Sequence, residues 1–408
     1  MIALTEKQKS IIPLMEQSKI AILTGGPGTG KTETSKAVLN WAKDKKMRIA
    51  VAAPTGKAGK RISEAINFKA STIHALLQPR MGNNGNFVFQ KNENDLLDID
   101  LLILDEVSMI DNRLMASILK ALDINKTKLL LIGDAGQLPS VGPGSILRDL
   151  LASKTVSHVE LNEIFRNSGD IVKACHKIKD GKYYKPSESL DPDNGLNLRH
   201  VEVRSPERIQ EVIRQIVTGR MVDRNFDPIW DCQILSPVNE RTVLSCKGLN
   251  KVLQAELNSN PAIDGTVFRK HDKIINRKNE KLKTPIGGEE LCLNGDQGTI
   301  VDIFEKKKQI IVEFYNPDRT VVVPLHRNEL GLAYCLTVHK AQGSEFPVVI
   351  IPVHSSFNFF LNRSWVYTGI SRASQILITV GEFDTIKRAI DNNVSNERKT
   401  MLKEKLAL

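Results

Sequence analysis

Residues 20–32 read IAILTGGPGTGKT: the apolar run Ile20, Ala21, Ile22, Leu23 leads straight into Gly25, Gly26, Pro27, Gly28, Thr29, Gly30, Lys31 and Thr32. This is a complete G-x-x-x-x-G-K-T phosphate loop in the context it requires, a strand before it and, in TETSKAVLNWAK, a helix after it. The glycines let the chain turn tightly and aim successive backbone N–H groups at phosphate oxygens. Lys31 is placed for the outer phosphates, and Thr32 offers a hydroxyl to Mg2+. The stretch therefore predicts a nucleoside triphosphate held with Mg2+ at the edge of an α/β sheet.

Outward from this loop, short apolar runs alternate with helical stretches: KIAIL, RIAVAAP, DLLILDE and KLLLIGD, each ending in small or acidic residues. That rhythm belongs to a parallel sheet covered by helices, whose ligands lie beyond the carboxyl ends of the strands. Gly25, Pro54, Asp105 and Asp134 occupy those ends. One interruption, QPRMGNNGNFVFQKNENDL, carries the turn signal Asn84-Gly85 before the alternating Asn86, Phe87, Val88, Phe89, Gln90, and predicts a protruding hairpin.

From Ser168 to about Arg224 the pattern is helical and polar, and a second sheet begins at CQILSPVN. Residues 266–330 change to the β-like pieces GTIVDIF, QIIVEF and TVVVPL, parted by turns such as Asn294-Gly295 and Asn316-Pro317. The α/β rhythm resumes with FPVVIIPV and QILITVG, so the β module sits inside the second α/β domain.

A chain of 408 residues accommodates two or three domains, each with its own core. Lys and Arg exceed Asp and Glu by 57 to 47, and the resulting charge of +10 leans toward a polyanionic partner, although a basic soluble enzyme has the same balance. Cys175, Cys232, Cys246, Cys292 and Cys335 are scattered and never form C-x-x-C, which argues against a disulfide framework or a zinc cluster. The N-terminal residues contain no apolar targeting core, and no run approaches the roughly 18 apolar residues of a membrane span. The expectation is a soluble cytoplasmic protein in a reducing compartment.

Leu101 to Leu104 lead into Asp105-Glu106, a strand followed by paired acids. With the phosphate loop upstream, Asp105 is expected to hold Mg2+ through water and Glu106 to act as the general base toward the attacking water. Gln137, just past the strand KLLLIGD, either contacts the terminal phosphate or stabilises its own turn. Arg166 in LNEIFRN and Arg372 in YTGISRAS stand beside apolar runs, and taken singly they have no assigned task.

The ordered series LTEKQ, GGPGTGKT, APTGKAGKRISE, ASTIHALL, LILDEVSMID, LIGDAGQLPSVGPGSILRDL, LNEIFRN, ILSPVN, NGDQGTIV, LAYCLTVHKAQGSEFPVVI and LNRSWVYTGISRA spans nearly the whole chain. In that order it resembles the RecD-like and Dda-like DNA helicases of superfamily 1, in the SF1B branch associated with 5′ to 3′ movement. The resemblance implies an α/β fold of two RecA-like P-loop domains, with a β-hairpin insert in the first and a small SH3-like β-barrel insert in the second. Its boundaries fall at 1–77 and 98–167 for the first domain, 78–97 for the hairpin, 168–265 and 331–408 for the second domain, and 266–330 for the β insert.

By position, the resemblance makes Gln8 the adenine-reading glutamine, whose amide offers both a donor and an acceptor; an ordinary helix-surface glutamine is the alternative. It makes Arg166 and Arg372 phosphate-sensing arginines that join Lys31, Glu106 and Gln137 in catalysis, and it puts Glu345 on the nucleotide side. It assigns a single DNA strand to Pro54, Thr55, Lys57, Ser71, Thr72 and His74 in the first domain and to Thr337, His339, Lys340 and Gln342 in the second. Hydroxyls, amides and lysines suit sequence-blind phosphate contacts, while His74 and His339 equally suit structural roles.

Phe87 and Phe89 fall where the family carries a duplex-splitting pin, and packing of the hairpin on its own domain explains them as well. The basic stretch Arg269, Lys270, Lys273, Arg277, Lys278, Lys281, Lys283 lines either the strand path or a solvated face. This chain departs from the family with Ser374 for a basic residue and Ala341 for a serine. The phosphate loop also begins too near the first residue for the long N-terminal region of larger relatives. The implied activity is ATP-driven, Mg2+-dependent translocation on single-stranded DNA and unwinding of a duplex fork by a monomer, with a single-strand-binding protein as an expected partner. An RNA-directed helicase and a nucleotide-switched DNA-binding assembly ATPase are the competing readings.

Overall fold

The strand that delivers the phosphate loop, β1 (Ile20–Gly25), lies near one edge of a six-stranded sheet. Along the chain follow β2 (Ile49–Ala53), β3 (Ser71–Thr72), the hairpin strands β4 (Pro79–Met81) and β5 (Phe87–Phe89), then β6 (Leu101–Leu104), β7 (Lys128–Gly133) and β8 (Ser157–Leu161). The sheet order is β3-β2-β6-β7-β1-β8, and every neighbouring pair is parallel. In this computed structural model the described residues are 4–81, 87–163, 169–263, 265–315, 318–325, 329–394, 398, 400 and 402, with Met81, Phe87 and Glu305 described by backbone alone.

Helices cover both faces, so the strands read as unbroken apolar runs, without the alternation of a half-exposed sheet. Alternate residues of one strand enter different cores. Ile22, Leu102, Leu104, Leu129 and Leu131 pack on one face, and Ala21, Leu23, Leu101, Ile103, Leu130 and Ile132 on the other. Each buried Leu or Ile contributes about 1.5–3 kcal/mol relative to exposure. With its apolar side chains committed to the two layers, the sheet presents polar chemistry at its carboxyl edge.

The chain divides into two units, Met1–Ser168 with Asn393–Leu408, and Gly169–Asn392. The second contains β9 (Leu198–Glu202) and β10 (Cys232–Ser236), an all-β excursion, and then β18 (Cys335–Thr337), β19 (Phe346–Val353) and β20 (Ala373–Gly381). Its five strands are parallel in the order β18-β10-β19-β20-β9.

The excursion comprises β11 (Lys273–Asn276), β12 (Glu280–Lys283), β13 (Glu289–Cys292), β14 (Gln297–Phe304), β15 (Gln309–Phe314), β16 (Arg319–Pro324) and β17 (Leu330–Leu332). They form an antiparallel sheet in the order β13-β12-β16-β15-β14-β11-β17. Along β15 the residues alternate between half-buried and buried, as expected for one face on a core, and Ile310, Val312 and Phe314 join Val321 and Val323 in that core.

A buried polar seam ties the excursion to its parent sheet. Asp272 accepts from the side chains of Gln254 (2.5 Å), Asn258 (2.8 Å) and Tyr334 (3.1 Å), and burial raises its pKa. Lys273 is buried beside it and donates to the Ile229 carbonyl (2.5 Å) and to Gln233 Oε1 (3.3 Å). The basic run therefore splits. Arg269 donates to the Asn258 carbonyl, Lys270 pairs with Asp302 at 3.2 Å, Lys273 is internal, and Arg277, Lys278, Lys281 and Lys283 are exposed.

The last residues, expected with the second domain, group with the first unit. Arg398 Nη1 donates to the carbonyls of Ser140 (2.8 Å), Gly142 (3.2 Å) and Gly144 (3.1 Å). Thr400 donates to Asp149, and Leu402 packs on the core beneath. In the hairpin Pro79 opposes Phe89 and Met81 opposes Phe87, while the Asn84-Gly85 turn lies outside the described residues.

Candidate nucleotide site and strand-binding loops

The phosphate loop leaves β1 at Gly25, where a Cβ would meet Thr29 Oγ1 at 2.6 Å and the Leu161 carbonyl at 2.9 Å. Gly28 (φ 74°) and Gly30 (φ 83°) take the left-handed backbone that glycine adopts without penalty. Thr29 Oγ1 donates to the Gly26 carbonyl at 2.9 Å and closes the turn. Helix Lys31–Asp44 then begins with Gly30 as its N-cap and no side-chain cap, so its first N–H groups face the loop without a hydroxyl partner. Lys31 Nζ donates to the Gly25 and Gly26 carbonyls, both at 2.8 Å. Burial lowers its pKa, opposed by Asp134, Glu106 and Asp105.

Asp105 follows β6 and is buried. Its pKa is raised to about 6, first by burial and then by the Glu106 charge. Glu106 sits in left-handed backbone (φ 53°) and is also buried, which turns its carboxylate toward helix Gly56–Ile66. Arg61 of that helix pairs with Glu106 Oε1 at 2.8 Å. Arg61 was missed by sequence reasoning; it lies in the quoted APTGKAGKRISE, but pairing across 45 residues needs the parallel packing of β2 beside β6.

Gln137 lies in the loop after β7, buried, with Oε1 lacking any hydrogen-bond partner among the described residues. Asp134 Oδ1 accepts from the Gly136 N–H at 2.9 Å. Arg148, on helix Ile146–Ser153, holds the Ala135 carbonyl at 2.9 Å and that of Gln137 at 3.2 Å, and Arg398 holds the next carbonyls of the same loop. Burial lowers the Arg148 pKa, with Arg398 adding to the effect. Neither brace was anticipated. Arg148 sits in the quoted LIGDAGQLPSVGPGSILRDL, whereas nothing local marks Arg398.

Gln8 is buried in the short helix Glu6–Lys9 and forms a capping box: Oε1 accepts from the Thr5 N–H (3.0 Å), and Thr5 Oγ1 accepts from the Gln8 N–H (3.3 Å). One lone pair of its amide is thus already committed. Arg166 lies outside the described residues. In the second unit Arg372 is buried and donates to the carbonyls of Thr368 (3.2 Å) and Ser344 (3.1 Å) and to Ser371 Oγ (3.0 Å). Ser344 precedes the exposed Glu345, so the structure brings Arg372 and the QGSE segment together.

The strand-binding candidates share one device. Thr55, Thr72 and Thr337 each end a strand or follow one by two residues and cap the next helix, accepting from the N–H of Ala58 (3.3 Å), Ala75 (3.0 Å) and Lys340 (3.4 Å). Each cap fixes the helix start and leaves earlier N–H groups open toward the sheet edge. Pro54 and Lys57 flank the first cap and Ser71 precedes the second, all half-buried. His339 and Lys340 are exposed after the third, and Gln342 is buried. Burial and then Arg277 lower the Lys340 pKa.

His74 stacks on Phe89, ring centroids 5.7 Å apart and tilted by 58°, and burial lowers its pKa. Phe89 also packs half-buried against the core of its unit, so its side chain serves packing in this structure. The side chain of Phe87 lies outside the described residues.

These groups fit a magnesium nucleotide. An uncapped helix start, a lysine inside the loop, an orphaned amide oxygen and a buried carboxylate converge on the carboxyl edge of one sheet. No group of three or more metal-binding side chains occurs among the described residues. Mg2+ held by one or two protein oxygens needs no such cage, because phosphates and water complete its shell. Thr32, exposed on the first helical turn, and Asp105 would be those oxygens.

Residues 3–194 match the AAA domain family, and residues 332–380 match the UvrD-like helicase C-terminal domain. The ATP-dependent RecD2 DNA helicase of Deinococcus radiodurans is 32% identical over 388 residues, which cover 93% of this chain and 49% of that protein. The RecBCD enzyme subunit RecD of Haemophilus influenzae is 26% identical over 96% of this chain and 71% of its own length. Along nearly its whole length the chain is thus similar to RecD-type proteins.

The chain spans about half the length of the Deinococcus relative. Among solved structures, Bacteroides Pif1 helicase with ADP-AlF3 and single-stranded DNA shares its fold with a TM-score of 0.57 and 19% identity, covering 97% of this chain and 96% of that one. Pif1 helicase of Candida albicans does so with a TM-score of 0.53 and 19% identity, covering 99% of this chain and all of the other, 100%. Among the described residues no helix is long and apolar enough to cross a membrane.

Proposed function

We propose that this RecD-like chain is an ATP-dependent DNA helicase that translocates 5′ to 3′ on single-stranded DNA and separates duplex at a fork. The observation that carries the reading is the pairing, on one sheet edge, of an uncapped phosphate-loop helix with two threonine-capped loops. The same cap recurs at Thr337 in the second unit. One edge thus offers both a strong anion cradle and weaker, sequence-blind phosphate contacts.

In this reading Lys31 binds the outer phosphates, Thr32 and Asp105 hold Mg2+, and Gln137 accepts from the reacting water through its amide oxygen or donates to the terminal phosphate through its amide nitrogen. Mg2+, when bound, supplies charge neutralisation at the phosphoryl group. Glu106 takes the proton of the attacking water, and its Arg61 partner orients the buried carboxylate. Gln8 reads adenine through its amide nitrogen and remaining lone pair. Arg166 and Arg372 respond to the terminal phosphate, and Glu345 lies toward the nucleotide.

The two RecA-like domains with their hairpin and β insert act as a monomer and use a single-strand-binding protein as a partner at the fork. Hydrolysis rate with and without single-stranded DNA or RNA, together with strand separation on duplexes bearing a 5′ or a 3′ tail, tests the proposal. DNA stimulation with unwinding only from 5′ tails is the expected result. Stimulation without separation on either tail would overturn the helicase reading, and unwinding only from 3′ tails would overturn the polarity.

A further inference from the structure

Between β19 and helix Arg363–Ile370 the chain makes a braced turn, His354–Asn362. Phe357 and Leu361 are buried and anchor its two sides. The N–H of Phe357 donates to His354 (2.9 Å), that of Phe360 to Phe357 (2.8 Å) and that of Leu361 to Phe357 (3.1 Å). The Ser355 N–H donates to Glu382 Oε2 at 2.6 Å, and Asn392 Nδ2 holds the Leu361 carbonyl at 3.0 Å. On this rigid support Phe359 is 93% exposed and Phe360 50% exposed, their rings edge to face with centroids 5.6 Å apart. A slack loop would fold two such rings inward, since exposed aromatic surface is unfavourable. Here the bracing keeps them in water.

The turn leaves the sheet at the edge that carries a strand-binding loop. β10 lies between β18 and β19, pairing Ser236 with Thr337 and Ile234 with Ile350. Continuing that parallel register sets Pro352 level with Thr337, so Val353, the last residue of β19, ends one residue beyond the start of the Thr337–Lys340 cap. At roughly 4.8 Å per strand, the two loops rise about 10 Å apart. The Thr337 side carries the exposed Lys340 and Arg277 cations and the exposed His339, which suit phosphates, and the β19 side carries bare rings. An unpaired strand has this same polarity, with charge on one side and flat apolar faces on the other.

We propose that Phe359 and Phe360 form a stacking platform for unpaired bases of the DNA strand whose phosphates bind at Thr337–Lys340. This rests on the single-strand reading given above. It adds to the grip a component that depends on bases and not on salt.

The test is anisotropy of the full-length protein with labelled dT16 and with an abasic 16-mer of the same backbone, each across a series of salt concentrations. Wild type should bind dT16 more tightly than the abasic strand. The double variant Phe359→Ala/Phe360→Ala should lose roughly 5- to 100-fold on dT16, remain unchanged on the abasic strand, and keep the wild-type slope of affinity against salt. Lys340→Ala should weaken both strands alike and flatten that slope. Phe359→Trp should retain affinity and show indole quenching by dT16.

Equal binding of dT16 by wild type and the double variant overturns the platform, as does an equal loss on both strands. If wild type binds neither oligomer, the single-strand reading itself falls, and the platform with it.

Discussion

The two units build the same kind of parallel, helix-covered sheet and differ in how the helix after an equivalent strand begins. After β1 the chain runs through glycines to a helix whose N-cap, Gly30, offers no side chain. After β10 it runs through Ser236, Pro237, Val238 and Asn239 to helix Cys246–Leu257, whose N-cap Ser245 accepts from the Gly248 N–H at 3.2 Å. Ser236 Oγ donates back to the Leu244 carbonyl at 2.7 Å, and a Cβ on Gly248 would meet the Val243 carbonyl at 2.5 Å. The second loop has filled its own cradle, and the first has left one open. An anion site of this kind is thus a helix start deliberately left unsatisfied, and architecture alone does not create it.

The sharpest way to break this comparison is Lys31→Ala. Hydrolysis should fall by at least about 100-fold, while strand affinity without nucleotide is retained because the threonine caps are untouched. Steady-state phosphate release and anisotropy on one preparation measure both. Residual hydrolysis near the wild-type rate would mean the open cradle is not the catalytic one.

Arg61→Ala comes next. Removing the partner of a buried carboxylate should reduce turnover about 10- to 100-fold with little change in nucleotide affinity, and should cost about 1–2 kcal/mol of stability in denaturant unfolding, discounted for the half-exposed arginine. A change in affinity with turnover intact would assign Arg61 to binding.

The third is a pH dependence. Asp105 has its pKa raised from 3.8 to about 6 by burial and by Glu106. A carboxyl whose folded pKa is raised stabilises the fold most while protonated. Its contribution is full below about 4 and is lost as pH rises through about 6. The nucleotide-free protein should therefore lose this component of thermal stability between those values, Asp105→Asn should lack the loss, and Mg2+-dependent hydrolysis in the wild type should decline as pH falls through about 6. No equivalent buried acid pair follows β10, where Pro237 and Val238 stand. The smallest effect compares caps: Thr55→Val and Thr337→Val should each cost about 1 kcal/mol in calorimetric unfolding, and each should weaken strand binding without altering DNA-free hydrolysis.

Much of the first unit was legible because its signals are local. The run Ile20–Leu23 followed by glycines, and Leu101–Leu104 followed by two acids, each need only a few residues to be recognised. The β excursion was legible from the alternation in QIIVEF, but its buried seam was not. Lys273 read as part of a charge run, and only folding reveals that Gln233 and the Ile229 carbonyl await it. Arg61, Arg148 and Arg398 stayed hidden for the same reason, since each acts on a residue or loop brought near by packing. Phe89 shows the converse: the hairpin was expected, and its packing against the ring of His74 and the core beneath emerges only in the fold.

The return of the C-terminal residues to the first unit has a consequence for synthesis. Arg398, Thr400 and Leu402 join that unit, yet they leave the ribosome after all 224 residues from Gly169 to Asn392. The second unit can thus fold as an autonomous body while the first still awaits its final stitches. The Gln137 loop, held from one side by Arg148, receives its other clasp only with Arg398. The loop after β7 is therefore braced on both sides only after the second unit has been made.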